Sequence, residues 1–165
     1  MEAHRPAMLV DGDNLRFGLC ADLGFDRESR EENVRRAGEV AQLLAEAGVL
    51  SLVALISPYA ASRQQVRRAH EQRGLSFVEV WVNTPLEECE RRDPKGLYSR
   101  ARSGELAHLT GIGDPYEEPT EADLDLAAGR LTVPMAVEAL VEVLAARGLF
   151  HPLAAAGDRS PPPSP

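Results

Sequence analysis

The sequence predicts an α/β fold, a parallel sheet flanked by helices. Three observations carry that expectation. Short apolar runs alternate with stretches of helical period that are each about one helix long. Two of those runs, 49–56 and 77–82, read as strands covered on both faces. Three runs end in polar or turn-forming residues, Asp11-Gly-Asp-Asn14, Ser57-Pro58 and Asn83-Thr84-Pro85. Sheets of this kind bind ligands beyond the carboxyl ends of their strands.

The elements follow in order. Ala7 to Val10 is a short buried strand that runs into the acidic loop. From Glu31, the residues Val34, Ala37, Val40, Ala41, Leu44 and Ala47 share one helical face, and Gly48 stops the helix. Val49 to Ile56 is the second strand. Ser62 is placed to cap a polar helix that ends at Arg73, before Gly74. Phe77 to Val82 is β-branched and aromatic, a third strand. Thr84 and Pro85 then open a helix with a cap residue and proline at its first position, and Glu87 completes a capping box. A basic stretch at 91–102 precedes an acidic one at 114–125, and Asp123 to Leu126 reads as a short strand. Thr132 and Pro134 open the last amphipathic helix, which Gly148 ends. Residues 1–152 are expected to form one domain, and 153–165, rich in proline, a disordered tail.

Composition narrows the function classes. The 165 residues hold 18 Lys+Arg against 26 Asp+Glu, a net charge of −8, which argues against a nucleic-acid polymer as partner. Two cysteines, Cys20 and Cys89, make no disulfide framework and no metal-ligand spacing. No stretch has the length and apolarity of a membrane span or of a secretory signal, so a cytoplasmic protein with no membrane partner is the expectation.

Asp11 and Asp13 lie two apart on a glycine-containing loop. Such a pair either holds Mg²⁺ through water or takes a proton from an attacking hydroxyl, or it bonds its own backbone in a turn. Arg16, Arg30, Arg35 and Arg36 offer planar forks suited to phosphate or sulfate oxygens, although Arg35 and Arg36 read as solvated helix-face residues. Phe25 is either a stacking platform for a base or a core anchor.

Six blocks, in order, resemble the adenylyl-sulfate kinases. They are Asp11-Gly-Asp-Asn-Leu-Arg16, Asp22-Leu-Gly-Phe25, Arg30-Glu-Glu-Asn-Val-Arg-Arg36, Ile56-Ser-Pro-Tyr59, Arg92-Asp-Pro-Lys-Gly-Leu-Tyr98, and Leu109-Thr-Gly-Ile112 with Pro115-Tyr-Glu117. The resemblance implies a P-loop kinase-like fold. It implies transfer of the ATP γ-phosphate, with Mg²⁺, to the ribose 3′-hydroxyl of adenosine 5′-phosphosulfate, which makes PAPS for sulfate assimilation. By the same resemblance Asp11, Asp13 and Arg16 hold the nucleotide, and Arg30 and Asn33 bond its phosphosulfate or ribose. Phe25 stacks on adenine, Leu109 covers the other face, and Ile56 with Ser57 lines the acceptor site. Arg92 and Lys95 belong to a segment that closes over ATP. Two catalytic routes stay open: a phosphorylated Ser57, or direct in-line transfer with Asp13 on the acceptor hydroxyl. A homodimer and an association with ATP sulfurylase are the implied protein partners.

Departures from the pattern are few and specific. Many relatives carry Lys-Gly-Phe before Thr-Gly, where this chain has Ala107-His108-Leu109, and the aspartate of Gly-Ile-Asp is Gly113, with Asp114 adjacent. His108 reads as a surface substitution rather than a base. A phosphate-cradling Gly-x-x-x-x-Gly-Lys-Ser/Thr loop does not occur, and Lys95 is the only lysine. Relative to such kinases the first strand, P-loop and first helix are missing. The expectation is a late start on a longer reading frame, with Met1 or Met8 as an internal codon. The alternative is a catalytically inactive module that binds the sulfonucleotide. The strand ending at Ile56 and the one starting at Phe77 would then either face a gap or pair directly.

Overall fold

The computed structural model describes residues 6–149, so the expected tail at 153–165 and the domain boundary at 152 lie outside the described residues. The order is β1 (Ala7–Asp11), α1 (Gly12–Arg16), α2 (Arg27–Glu46), β2 (Leu50–Ala54), α3 (Ala60–Gln72), β3 (Val80–Val82), α4 (Leu86–Arg92), α5 (Leu97–Arg102), β4 (Leu124–Leu126) and α6 (Val133–Ala146).

Both strand pairs are parallel. β1 pairs with β2 from Ala7↔Leu50 to Asp11↔Ala54, and β3 with β4 from Val80↔Leu124 to Val82↔Leu126. The two pairs are not hydrogen-bonded to each other. Of the two outcomes expected for the strands ending at Ile56 and starting at Phe77, the structure takes the gap. Ala54, Leu55 and Ile56 on one side and Val80, Trp81 and Val82 on the other line a single cavity of about 940 Å³. The expectation that both strands are covered on two faces is therefore corrected. Leu52, Val53 and Val82 are exposed, Val82 to 62%. Helices α2 and α3 pack together, α2 covers β2 and α6 covers β4, while other strand side chains are left to the cavity and to solvent.

Local chemistry explains where the elements differ from the sequence reading. Helix α2 starts at Arg27, earlier than Glu31, because the Asp26 carboxylate accepts the Ser29 amide at 2.9 Å and caps it. That amide and the Ser29 hydroxyl hold Asp26 below the usual carboxylate range. Gly38 lets α3 come close: a Cβ there would stand 2.8 Å from Val66 Cγ2. Ser62 does not cap α3. The helix begins two residues earlier, and its Ala60 amide donates to the Glu117 carboxylate at 2.8 Å, a cap supplied from 57 residues away. Strand β3 is shorter than 77–82 because the Asp123 side chain accepts the Glu79 amide at 2.7 Å, in place of a strand carbonyl. Pro85, not Thr84, occupies the cap position of α4. Thr132 caps α6 as expected, accepting the Met135 amide. Among the described residues no helix is long and apolar enough to cross a membrane.

Candidate functional site

The cavity between the strand pairs gathers the chemistry. Asp11 and Asp13 reach it from the end of β1 and from α1, Arg16 from the last turn of α1, and Phe25 from the loop before α2. Arg30 and Asn33 reach it from the first turns of α2, Ile56 and Ser57 from the β2–α3 turn, Lys95 from the α4–α5 link and Leu109 from the loop that follows α5. Ten of the eleven residues singled out in the sequence thus line one space. Arg92 does not: its Nε donates to Glu88 Oε1 at 2.6 Å on the outer side of α4.

Each side chain has a defined setting. Asp11 Oδ1 accepts the amides of Asp13 and Asn14 at 2.9 and 3.2 Å, so this carboxylate caps α1, the turn reading of the acidic pair. Asp13 is exposed and forms an ion pair with Lys95, whose ammonium is held above its usual range by that carboxylate. Among the described residues no group of three or more His, Cys, Asp or Glu side chains is placed to hold a metal ion. With Asp11 capping a helix and Asp13 paired to Lys95, the acidic loop does not fit a resident Mg²⁺ site.

Arg16 donates to the Leu23 and Gly24 carbonyls at 3.2 and 3.0 Å, and its guanidinium lies 4.2 Å from the centre of the Phe25 ring. The Arg30 guanidinium also lies over this ring, 5.7 Å from its centre, and the ring is 54% exposed. Arg30 is buried. Its Nε donates to the Phe25 carbonyl at 2.8 Å and its Nη2 to the His108 carbonyl at 2.6 Å. Burial lowers its pKa from the ordinary arginine value, against the pull of Asp114, 3.9 Å away. The same guanidinium ties the loop of Phe25 to the loop of Leu109.

The turn at Ser57 is tightly held. Ser57 has φ 42°, a left-handed conformation unusual for a serine. Arg63 donates to its carbonyl at 2.8 Å and to the Glu117 carbonyl at 2.7 Å, and the Glu117 amide donates to the Pro58 carbonyl at 2.8 Å. His108 also takes positive φ, 61°. That conformation favours glycine, which is what the resemblance places there. The His108 ring is exposed and lies 3.1 Å from Asp114 Oδ1.

The family model described as adenylylsulphate kinase matches residues 1–127. The chain belongs to the adenylylsulphate kinase family. It is 52% identical over 144 residues to the adenylyl-sulfate kinase of Vibrio vulnificus, covering 87% of this chain and 69% of that one. It is 50% identical over 151 residues to the Myxococcus xanthus adenylyl-sulfate kinase, covering 92% and 82%. Among solved structures it resembles the Mycobacterium tuberculosis APS kinase CysC in complex with AMPPNP and APS. The TM-score is 0.82 at 48% identity, over 85% of this chain and 80% of that one. The adenylylsulphate kinase fold is thereby shown for this chain, with its central region divided into two strand pairs.

Among the cavity residues to which the sequence reading gave no role are Arg63 and Thr110. Arg63 looked like one of many arginines on a polar helix; its signal was its position six residues after Ser57, about one turn into the helix that follows. Thr110 was quoted within a matching block and given no role, although it lies beside Leu109.

Leu109→Phe is expected to tighten binding of adenosine 5′-phosphosulfate about fivefold, because a ring at this cavity position would add about 1 kcal/mol of stacking on a bound base. Isothermal titration of both proteins with the nucleotide checks this. No gain in affinity would separate Leu109 from the base.

Proposed function

We propose that the protein works as an adenylyl-sulfate kinase and that the cavity between the strand pairs is its sulfonucleotide site. The observation that carries this reading is the convergence of Asp13, Arg16, Phe25, Arg30, Asn33, Ile56, Ser57 and Leu109 on one 940 Å³ space. Adenine lies between Phe25 and Leu109. Arg16, Arg30 and Asn33 surround the ribose and phosphosulfate with donors, a set suited to anionic oxygens. Ile56 and Ser57 border the ribose 3′-hydroxyl.

The transfer is a direct in-line displacement. The 3′-oxygen forms a bond to the γ-phosphorus of ATP, the bond from that phosphorus to the ADP oxygen breaks, and the hydroxyl proton passes to the Asp13 carboxylate. Lys95 leaves Asp13 for the ATP phosphates as Asp13 takes up this task. Arg92, on the outer side of α4, meets ATP only when the 91–102 stretch moves inward. The 165 residues contain no Gly-x-x-x-x-Gly-Lys-Ser/Thr loop, and the residues named here serve the acceptor half of the site. Self-association and docking to an ATP sulfurylase belong to the same reading.

Isothermal titration of the 165-residue protein with adenosine 5′-phosphosulfate and with ATP tests it. Saturable binding of the sulfonucleotide with far weaker binding of ATP is the expected result. ATP binding without sulfonucleotide binding overturns the assignment of the cavity.

A further inference from the structure

We propose that Glu117 is a positioning residue for the acceptor end of the site: from behind the cavity wall it fixes the turn that sets Ser57 against the ribose 3′-hydroxyl. This role rests on the reading of the cavity given above and belongs to a residue that this reading leaves out.

The turn between β2 and α3 holds an unfavourable conformation. Ser57 has φ 42°, a region that residues other than glycine avoid, and it precedes Pro58, which favours an extended residue before it. Such a conformation persists only where its surroundings impose it. Here the constraints meet at Glu117. Its amide donates to the Pro58 carbonyl at 2.8 Å, and its carboxylate accepts the Ala60 amide at 2.8 Å. Its carbonyl accepts Arg63 Nη2 at 2.7 Å, while Nη1 of the same arginine donates to the Ser57 carbonyl at 2.8 Å. Positions 57, 58 and 60 are thus tied, directly or through Arg63, to one residue that lies 57 places beyond Ala60 in the chain. Between them Tyr59 is 2% exposed and packs under the Arg27 guanidinium, 4.4 Å from its ring centre.

Glu117 does not line the cavity, although its neighbours Tyr116 and Glu118 do. It therefore acts through the turn and not on the ligand. Its carboxylate is also the part of this clasp that can be changed alone. The N-cap residue Tyr59 makes no side-chain cap bond to α3, and Glu117 takes over that task. Arg63, by contrast, also holds Glu79 beside β3, so its loss mixes the position of the turn with the joining of the strand pairs.

Substitutions at this position separate reach from charge. Glu117→Gln keeps an acceptor oxygen at the same reach without the charge, Glu117→Asp keeps the charge one methylene short, and Glu117→Ala removes both. The readout is the ratio of dissociation constants, by titration calorimetry, for adenosine 5′-phosphosulfate and its 3′-deoxy analogue, since only the first carries the hydroxyl that the turn addresses. In the natural protein the 3′-hydroxyl should tighten binding about tenfold. Glu117→Gln should keep that preference to within about threefold, whereas Glu117→Asp and Glu117→Ala should cut it to about twofold or less. A residue needed only for folding would weaken both ligands alike and leave the ratio where it was. A full preference in Glu117→Asp therefore overturns the proposal, and so does its loss in Glu117→Gln. If Glu117→Ala does not fold, the Gln and Asp variants carry the test, because each keeps a polar group at the start of α3. If the natural protein binds neither nucleotide, the reading of the cavity falls and takes this role with it. If it binds both equally well, the cavity stands and the role of Glu117 falls alone.

Discussion

Arg30→Ala is expected to weaken binding of adenosine 5′-phosphosulfate by about 100-fold or more, about 2.7 kcal/mol. The size follows from two losses at one position. Arg30 has donors left over after bonding the Phe25 and His108 carbonyls, and in the proposed complex these serve the phosphosulfate or ribose. The same guanidinium spans the two loops that carry Phe25 and Leu109, so its removal also frees the walls of the adenine slot. Arg30→Lys should rescue little. An ammonium is a point donor and does not reproduce a fork that reaches two carbonyls on different loops at 2.8 and 2.6 Å. Titration calorimetry on the three proteins decides the matter. Affinity within a few-fold of the natural protein in Arg30→Ala would remove Arg30 from the site.

Much of this site was legible only through the blocks that resemble the family, because the local pattern started the helix at Glu31, after Arg30, and left Asp13 and Arg16 in a loop. The structure instead puts Asp13 and Arg16 on α1 and Arg30 with Asn33 on α2, all lining one cavity. What local pattern does not reveal is a bond made across the chain. The Ser62 cap failed because the Ala60 amide is satisfied by Glu117, 57 residues away. The 77–79 segment fell outside the β3–β4 ladder because the Asp123 side chain takes the Glu79 amide. Asp11 and Asp13 look equivalent in sequence, yet one caps a helix and the other meets Lys95, 82 residues on. Periodicity likewise marked 49–56 and 77–82 as apolar without saying what would lie between them. That the two strands would either face a gap or pair directly followed from the order of strands in the family the chain resembles, and the structure decides for the gap.

That gap gives one arginine an unusual burden. Arg63→Met is expected to destabilise the protein by about 3–5 kcal/mol, the range for stripping one partner from a buried ion pair. Since β2 and β3 share no backbone hydrogen bonds, the two strand pairs are joined in part by side chains, and Arg63 is the central joint. Its Nε donates to Glu79 at 2.8 Å, just before β3, while its other nitrogens hold the Ser57 and Glu117 carbonyls beyond β2. The chain continues outward. Arg67 reaches both Glu79 and Asp123, at 3.4 and 2.7 Å, and Arg147 of the α6 C-cap holds the other Asp123 oxygen at 2.6 Å.

Burial pushes the Asp123 carboxyl up, but the Glu79 amide, Arg67 and Arg147 outweigh it and hold its pKa below the usual carboxylate range. The sign of the pH dependence follows. This contribution is complete above the ordinary carboxylate value and is lost as pH falls through the lower, folded-state value.

Urea unfolding measures the effect of Arg63→Met through the shift of midpoint at constant slope. Pairing it with Glu79→Leu should recover part of the loss, because the second change removes the stranded carboxylate. Recovery is incomplete, since the Ser57 and Glu117 carbonyls still lack their donor. The left-handed turn at Ser57 loses its clasp as well, so sulfonucleotide affinity should fall alongside stability. An Arg63→Met protein whose unfolding free energy changes by less than about 1 kcal/mol would show that the joint lies elsewhere.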